Sequence, residues 1–491
     1  MSGSVLLLPV FVPVAAGIAM LNITKMKERK VRDCYVGAVL AFSLIVVAML
    51  FFYQGDCTFQ AKLGSFLFVL RLDGLAKVFS ALVSAAWILN GFFAFEYMSK
   101  EENQVQFFSF YLLTGGLLTG IAYAGGYSTM KLFYILASFT CIPLIIHRQT
   151  EEAVHAAMYY AAYFLMGLIG IQIGGHYVMK FVTSKEFVAG GSLDMEAAAG
   201  HQGMFLFMVF LLLLGFGIKA CLFPFHGWHK VAAGAAPLPG TIAISAIMTK
   251  IGVIAMIRLI GNVIGTEILK ETWVQYIWMV LALLSIFIGA VLAFKTDVLA
   301  ERMAYSTIGQ VGCIVFGVSL MNSQAVTGAL VLMISHTMAT LVLFFATGAI
   351  VFRTGYTRVS ELRGIGRKLP GILLLFTLAS FVIMGIPPTL GFVGDWNVSL
   401  GALAVHIPYL ASVGSCVFVI GELFAAGYLM GIMIRGFFPG EDYHSDSEEA
   451  IKPSLFMRLP AVLLTMAVYI IGFYPVPLLE LIQRALEAMA I

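Results

Sequence analysis

Five ionisable side chains stand inside long apolar runs of a 491-residue chain: Lys219, Lys250, His336, Asp395 and Glu422. A charge at the centre of a membrane span costs on the order of 2.5–3.5 kcal/mol on insertion scales, so each of them needs a reason. Lysine reaches the membrane surface only from near a helix end. Lys219, in GFGIKACLFPFHGW, and Lys250, in SAIMTKIGVIAMI, both read as deep in their runs. Lysine suits proton transfer there, because burial loosens its hold on a proton and a nearby carboxylate tightens it again. Lysine, histidine and acidic groups bridged by water would make a relay across the membrane. Plainer readings stay open for the other three. His336, in LVLMISHTMATLVLFF, can simply bond two helices; Glu422, in VFVIGELFAAGY, can pair with a neighbour; Asp395 can cap a half-helix.

The elements that must position these groups follow from composition. The chain is 60% hydrophobic and 11% charged, whereas a soluble protein is about 25% charged. Fourteen runs can each cross a bilayer at roughly 20 residues apiece. They lie near 4–21, 36–53, 75–95, 106–124, 128–146, 156–178, 204–226, 238–260, 274–294, 304–322, 325–351, 371–404, 408–434 and 457–477. The first run lacks a basic stretch before it and reads as a span, not a cleaved signal. The fold class is an all-α polytopic membrane protein; nucleic-acid binding, a disulfide scaffold and a soluble enzyme are excluded. Six scattered cysteines form no C-x-x-C pair, and no metal, phosphate-loop, dinucleotide, haem or iron–sulfur motif occurs, so no cofactor is expected.

Two spans are interrupted, the seventh at Pro224 and the twelfth at Pro387 and Pro388. Proline removes a backbone donor and clashes with the preceding turn. Broken backbone survives at membrane depth only where protein or trapped water satisfies it. The breaks lie five spans apart, and an odd offset inverts the orientation, so spans 4–8 and 9–13 read as two inverted five-helix repeats. This divides the chain into an N-terminal three-helix segment (1–105), a first half-channel (106–260), a second (274–434), and a loop with a C-terminal helix (435–491). The loops after odd-numbered spans hold 18 of the 29 basic residues and the other side holds nine. Basic residues favour the cytoplasm, which places the chain in the cell (inner) membrane with both termini outside. Residues 54–74 suggest a short outer-face hairpin, and the acidic GEDYHSDSEE within 435–456 a solvated loop.

At residues 217–252, GIKACLFPFHGWHKVAAGAAPLPGTIAISAIMTKIG, the chain resembles the antiporter-like membrane subunits shared by respiratory complex I, Mrp-type cation/proton antiporters and membrane-bound hydrogenases. Further matches are RLDGLAKVFSALVSAAW with FEYM, AYSTIGQVG and PPTLGFVGDW. The resemblance implies that Lys219 is the pumping lysine of the first half-channel and Lys250 the connecting lysine. It implies that Asp395 is the terminal group of the second half-channel and that His336 is the histidine of an H-x-x-x-K pattern. Two positions depart from the family: Ser138 stands where relatives carry a glutamate, and Thr340 where they carry the lysine. Glu422 has no place in the common pattern, and an arrangement facing Asp395 is expected.

The resulting expectation is a proton-translocating, Na+/H+-exchanging in one variant, subunit of a multisubunit redox-driven complex, with no redox chemistry of its own. Its partners are other membrane subunits, the lipid bilayer and protons or Na+, with no nucleic acid. The alternatives are a subunit of an Mrp-type Na+/H+ antiporter, or a degenerate structural subunit that no longer pumps.

Overall fold

The computed structural model describes residues 2–198, 200–405, 410–440 and 452–491. Apolar runs become helices because, in hydrocarbon, every backbone donor and acceptor must be satisfied within its own segment. The chain opens with α1 (Leu8–Met20), α2 (Arg29–Phe52), the strands β1 (Thr58–Leu63) and β2 (Phe66–Arg71), and α3 (Gly74–Tyr97). The strands pair antiparallel from Thr58 opposite Arg71 to Leu63 opposite Phe66, so residues 54–74 do contain a hairpin. Next come α4 (Gln104–Tyr123), α5 (Tyr127–Ile145), α6 (Glu151–Val178), the single turn α7 (Met195–Ala198) and α8 (Gln202–Lys219).

After α8 the helix breaks and resumes as α9 (Gly227–Ala235). Residues 238–264 then form one unbroken crossing. It is built from α10 (Leu238–Ala243), a π-helical turn Ile244–Met248, α11 (Thr249–Leu259) and a second π turn Ile260–Ile264. The short α12 (Thr266–Leu269) leads to α13 (Trp273–Lys295), α14 (Leu299–Ser319) and α15 (Ser323–Thr354). The second break separates α17 (Pro370–Ile383) from α18 (Leu390–Leu403), preceded by the turn α16 (Ile365–Lys368). The chain closes with α19 (Leu410–Phe437), α20 (Leu455–Phe473) and α21 (Val476–Glu487). The expected run to residue 477 therefore stops at Phe473, and a separate helix follows against α3 and α15.

Twelve described helices are long and apolar enough to cross a bilayer, fewer than the expected fourteen. The physical reasons are local. The expected tenth span falls on α14, whose 21 residues include Glu301, Arg302, Ser306, Thr307 and Gln310. The expected twelfth falls on α17 and α18, each only 14 residues. The acidic loop is carried by residues 441–451, outside those described, as are residues 408–409 of the thirteenth run.

The centre of the molecule is α15, 32 residues long and buried without interruption from Ala325 to Ile350. It packs on α14, α17, α18 and α20. The 238–264 crossing is likewise enclosed by protein. These two helices carry Lys250 and His336, so two of the five groups the sequence singles out sit on the two best-walled elements.

Candidate functional site

Lys219 is the last residue of α8, because the chain turns out of the helix at Ala220 and Cys221 takes a left-handed φ of 60°. It is 3% exposed. Its ammonium nitrogen donates to the Tyr160 hydroxyl on α6 and lies 4.6 Å from the centroid of the Tyr160 ring and 5.6 Å from that of Trp228. Tyr160 in turn donates to the Ser138 carbonyl at 2.9 Å, and the Trp228 indole donates to the Ile218 carbonyl at 2.9 Å. Ser138 of α5 thus belongs to the Lys219 surroundings, through Tyr160. The free space beside Lys219 is about 10 Å³, room for roughly one water.

Lys250 is fully buried at the start of α11, directly after the first π turn. Its Nζ donates to the Ser245 carbonyl at 2.8 Å, an acceptor shared with Thr249 Oγ1 at 3.0 Å. Such π bulges shift the ladder by one residue and recur at functional sites. Gly252 brings this helix onto the end of α8, since a Cβ there would meet the Phe216 carbonyl oxygen at 2.5 Å. Lys250 is thereby held beside the broken end that carries Lys219, and Cys221 lies within electrostatic reach of both lysines.

Near them is a group that sequence reading missed. His229 on α9 has no exposed surface and faces the Ala304 backbone of α14. It lies within electrostatic reach of Lys250 and of Lys219. Nothing but its place in HGWHK signalled it. His226, three residues earlier, stacks on Phe223 with centroids 5.9 Å apart.

His336 lies on the neighbouring α15. Thr337 Oγ1 donates to the Ala246 carbonyl of the π turn at 3.1 Å, and the neighbouring His336 lies within electrostatic reach of Lys250 and His229. His336 Nε2 is 3.1 Å from Thr340 Oγ1, one helical turn on, while Nδ1 is buried without a partner among the described residues. Lys219, His229, Lys250 and His336 are therefore four buried basic groups, with His229 within electrostatic reach of the other three. A cavity of about 230 Å³ opens beside α9, α14 and α15 and is lined by Arg148, Glu301 and Thr347, among others.

Asp395 and Glu422 form a second set. Asp395 does not cap α18; Thr389 does, its hydroxyl accepting from the Phe392 amide at 3.4 Å. The Asp395 carboxylate instead folds back onto the break. Gly385, at φ +60°, leaves space there: a Cβ would fall 2.1 Å from Asp395 Oδ2. Glu422 acts electrostatically on Asp395, and Cys313 of α14 lies within reach of both. Gln310, also unforeseen, donates to Glu422 at 3.0 Å and to the Ile383 carbonyl at the end of α17 at 3.3 Å. One oxygen of each carboxylate is buried without a hydrogen bond among the described residues.

A third arrangement corrects the charge survey. Arg258, counted with the loops, is buried within α11 and makes a bidentate pair with Asp73 of the RLDG motif, at 2.7 Å for each bond. Asp73 also caps α3 through the Ala76 amide at 2.9 Å. Burial by itself would raise the Asp73 carboxyl, but the Arg258 guanidinium and the amide hold it below the usual carboxylate range. Arg32 and Arg302 are buried as well, so neither is a free loop charge.

Residues 124–421 match the family described as NADH:quinone oxidoreductase/Mrp antiporter, TM. The N subunit of the NADH-quinone oxidoreductase of Desulforudis audaxviator (strain MP104C) is 30% identical over 391 residues, covering 77% of this chain and 72% of that one. A protein of Rhizobium meliloti (strain 1021) described as part of a probable K(+)/H(+) antiporter is 29% identical over 420 residues, which are 83% of this chain but 40% of the relative. In fold, a chain of the Mrp complex from Dietzia sp. DQ12-45-1b superposes with a TM-score of 0.86 at 19% identity, covering 99% of this chain and 97% of that one. With both breaks and both buried lysines inside residues 124–421, the chain belongs to the NADH:quinone oxidoreductase/Mrp antiporter transmembrane family.

Proposed function

We propose that this chain is the ion-translocating, antiporter-like membrane subunit of a larger multisubunit complex and that it moves protons through Lys219, His229, Lys250 and His336. Asp395 and Glu422 form the terminal site of the second half. The observation that carries this is the burial of four basic groups on α8, α9, α11 and α15 within electrostatic reach of one another through His229, at positions where a charge is costly to insert. Desolvated lysines sharing polar neighbours load and release protons as those neighbours move. The relatives named for NADH-quinone oxidoreductase and for a K(+)/H(+) antiporter support the same reading.

In this reading α14 and the broken α17–α18 unit complete fourteen crossings. The segments 106–260 and 274–434 are inverted half-channels around the two breaks, flanked by the 1–105 and 435–491 regions, and both termini face outward. The test uses the complex purified with this chain and rebuilt into vesicles. Lys250→Met should lower proton uptake at least tenfold while assembly is retained. Unchanged uptake would instead favour a structural role, a reading to which Ser138 and Thr340 lend weight because neither carries a charge.

A further inference from the structure

The ammonium of Lys219 is buried, yet among the described residues no carboxylate lines the space around it or pairs with it. The titratable groups facing it are Tyr134 and Cys141 from α5, Tyr160 and Tyr163 from α6, Cys221 beyond its own helix, and His229 from α9. A buried cation without a counter-charge needs another source of stabilisation. Here the Tyr160 hydroxyl donates a hydrogen bond to the Ser138 carbonyl, which leaves the hydroxyl oxygen's lone pairs to accept from Lys219. The faces of Tyr160 and Trp228 lie at 4.6 and 5.6 Å, within the range of cation–π attraction. Trp228 is fixed in that place by its own bond to Ile218.

We propose that Tyr160, with Trp228, is the positioning residue that holds the protonated Lys219, doing with a neutral hydroxyl and two ring faces what a carboxylate would otherwise do. The inference rests on the reading of Lys219 as a translocating group. Its consequence is that Lys219 exchanges its proton against fixed dipoles instead of a second titrating acid. A neutral lysine loses both the charge-assisted bond and the ring attraction, so the cage favours the loaded state only.

The experiment follows proton uptake by vesicles containing the whole complex, across pH, for wild type, Lys219→Met, Tyr160→Phe and Trp228→Phe. Tyr160→Phe keeps the ring and removes the acceptor, so Lys219 should release its proton at lower pH. The alkaline limb of the profile then moves towards acid by about one unit, and Trp228→Phe moves it the same way by less. If Tyr160→Phe does not assemble, the Trp228→Phe shift decides. Loss of uptake in Lys219→Met with an unmoved profile in the cage variants overturns the role of Tyr160 alone. Unchanged uptake in Lys219→Met overturns the translocating role of Lys219, and the cage with it.

Discussion

At the scale of single residues, Gly385 illustrates how the second break and its carboxylate depend on each other. Its φ of +60° is strained for any side chain, and the space a Cβ would take is filled by Asp395 Oδ2. Gly385→Ala should cost about 1–2 kcal/mol in backbone strain and expel the carboxylate from the turn. Thermal unfolding of the detergent-solubilised complex, read beside proton uptake, would register both; an unaltered uptake would mean that Asp395 need not sit there. Much of this level was legible in advance. Charged groups in apolar runs are conspicuous, and Lys219, Lys250 and His336 all proved buried. Their partners were not legible, because Tyr160 and Gln310 look like ordinary residues of an aromatic or polar helix face. His229 stands in HGWHK, outside the long apolar runs that make the other groups conspicuous.

At the scale of elements, the Asp73–Arg258 pair ties the start of α3 to α11, across 185 residues of sequence. No local pattern announces such a bond, which is why Arg258 passed for a loop charge. Arg258 is 2% exposed and Asp73 28%, so losing the carboxylate leaves a buried guanidinium short of its partner, and Asp73→Asn should destabilise the fold by about 1–3 kcal/mol. The pH dependence has a definite sign. The folded carboxyl sits below its unfolded value, so its contribution is present above about pH 4 and is lost as the pH falls further. Wild type should lose thermal stability below about pH 4 more steeply than Asp73→Asn, as differential scanning of the two would reveal. The breaks themselves were readable from proline and glycine. The π turn before Lys250 was not, because SAIMTKIG has the composition of any regular helix.

At the scale of the whole molecule, the twelve clear crossings leave the sidedness to α14 and the α17–α18 unit. The proposed orientation gives a direct expectation. With native Cys34 and Cys416 replaced by serine, Lys25→Cys should react with a membrane-impermeant maleimide only from the cytoplasmic side. Lys270→Cys should react only from outside; both positions are exposed. Reaction of both from one side would overturn the alternation of the crossings from α2 to the 238–264 helix, which separate these two positions. Composition sufficed to recognise a polytopic membrane protein. It could not separate a crossing from a short buried helix, since α17 and α18 gain their depth from neighbours, not from their own length.

The enclosure of α15 has a consequence for the surrounding membrane. At 32 residues and 1.5 Å per residue, this helix is about 48 Å long, well beyond a hydrocarbon layer of about 30 Å. A lipid-facing helix of that length would tilt or distort the bilayer to hide the excess. Here the surplus is absorbed by the helices around it, so its lean is set within the protein. Reconstitution in short-tailed or long-tailed phospholipids should therefore change the outer ring of helices first and leave the geometry around His336 intact.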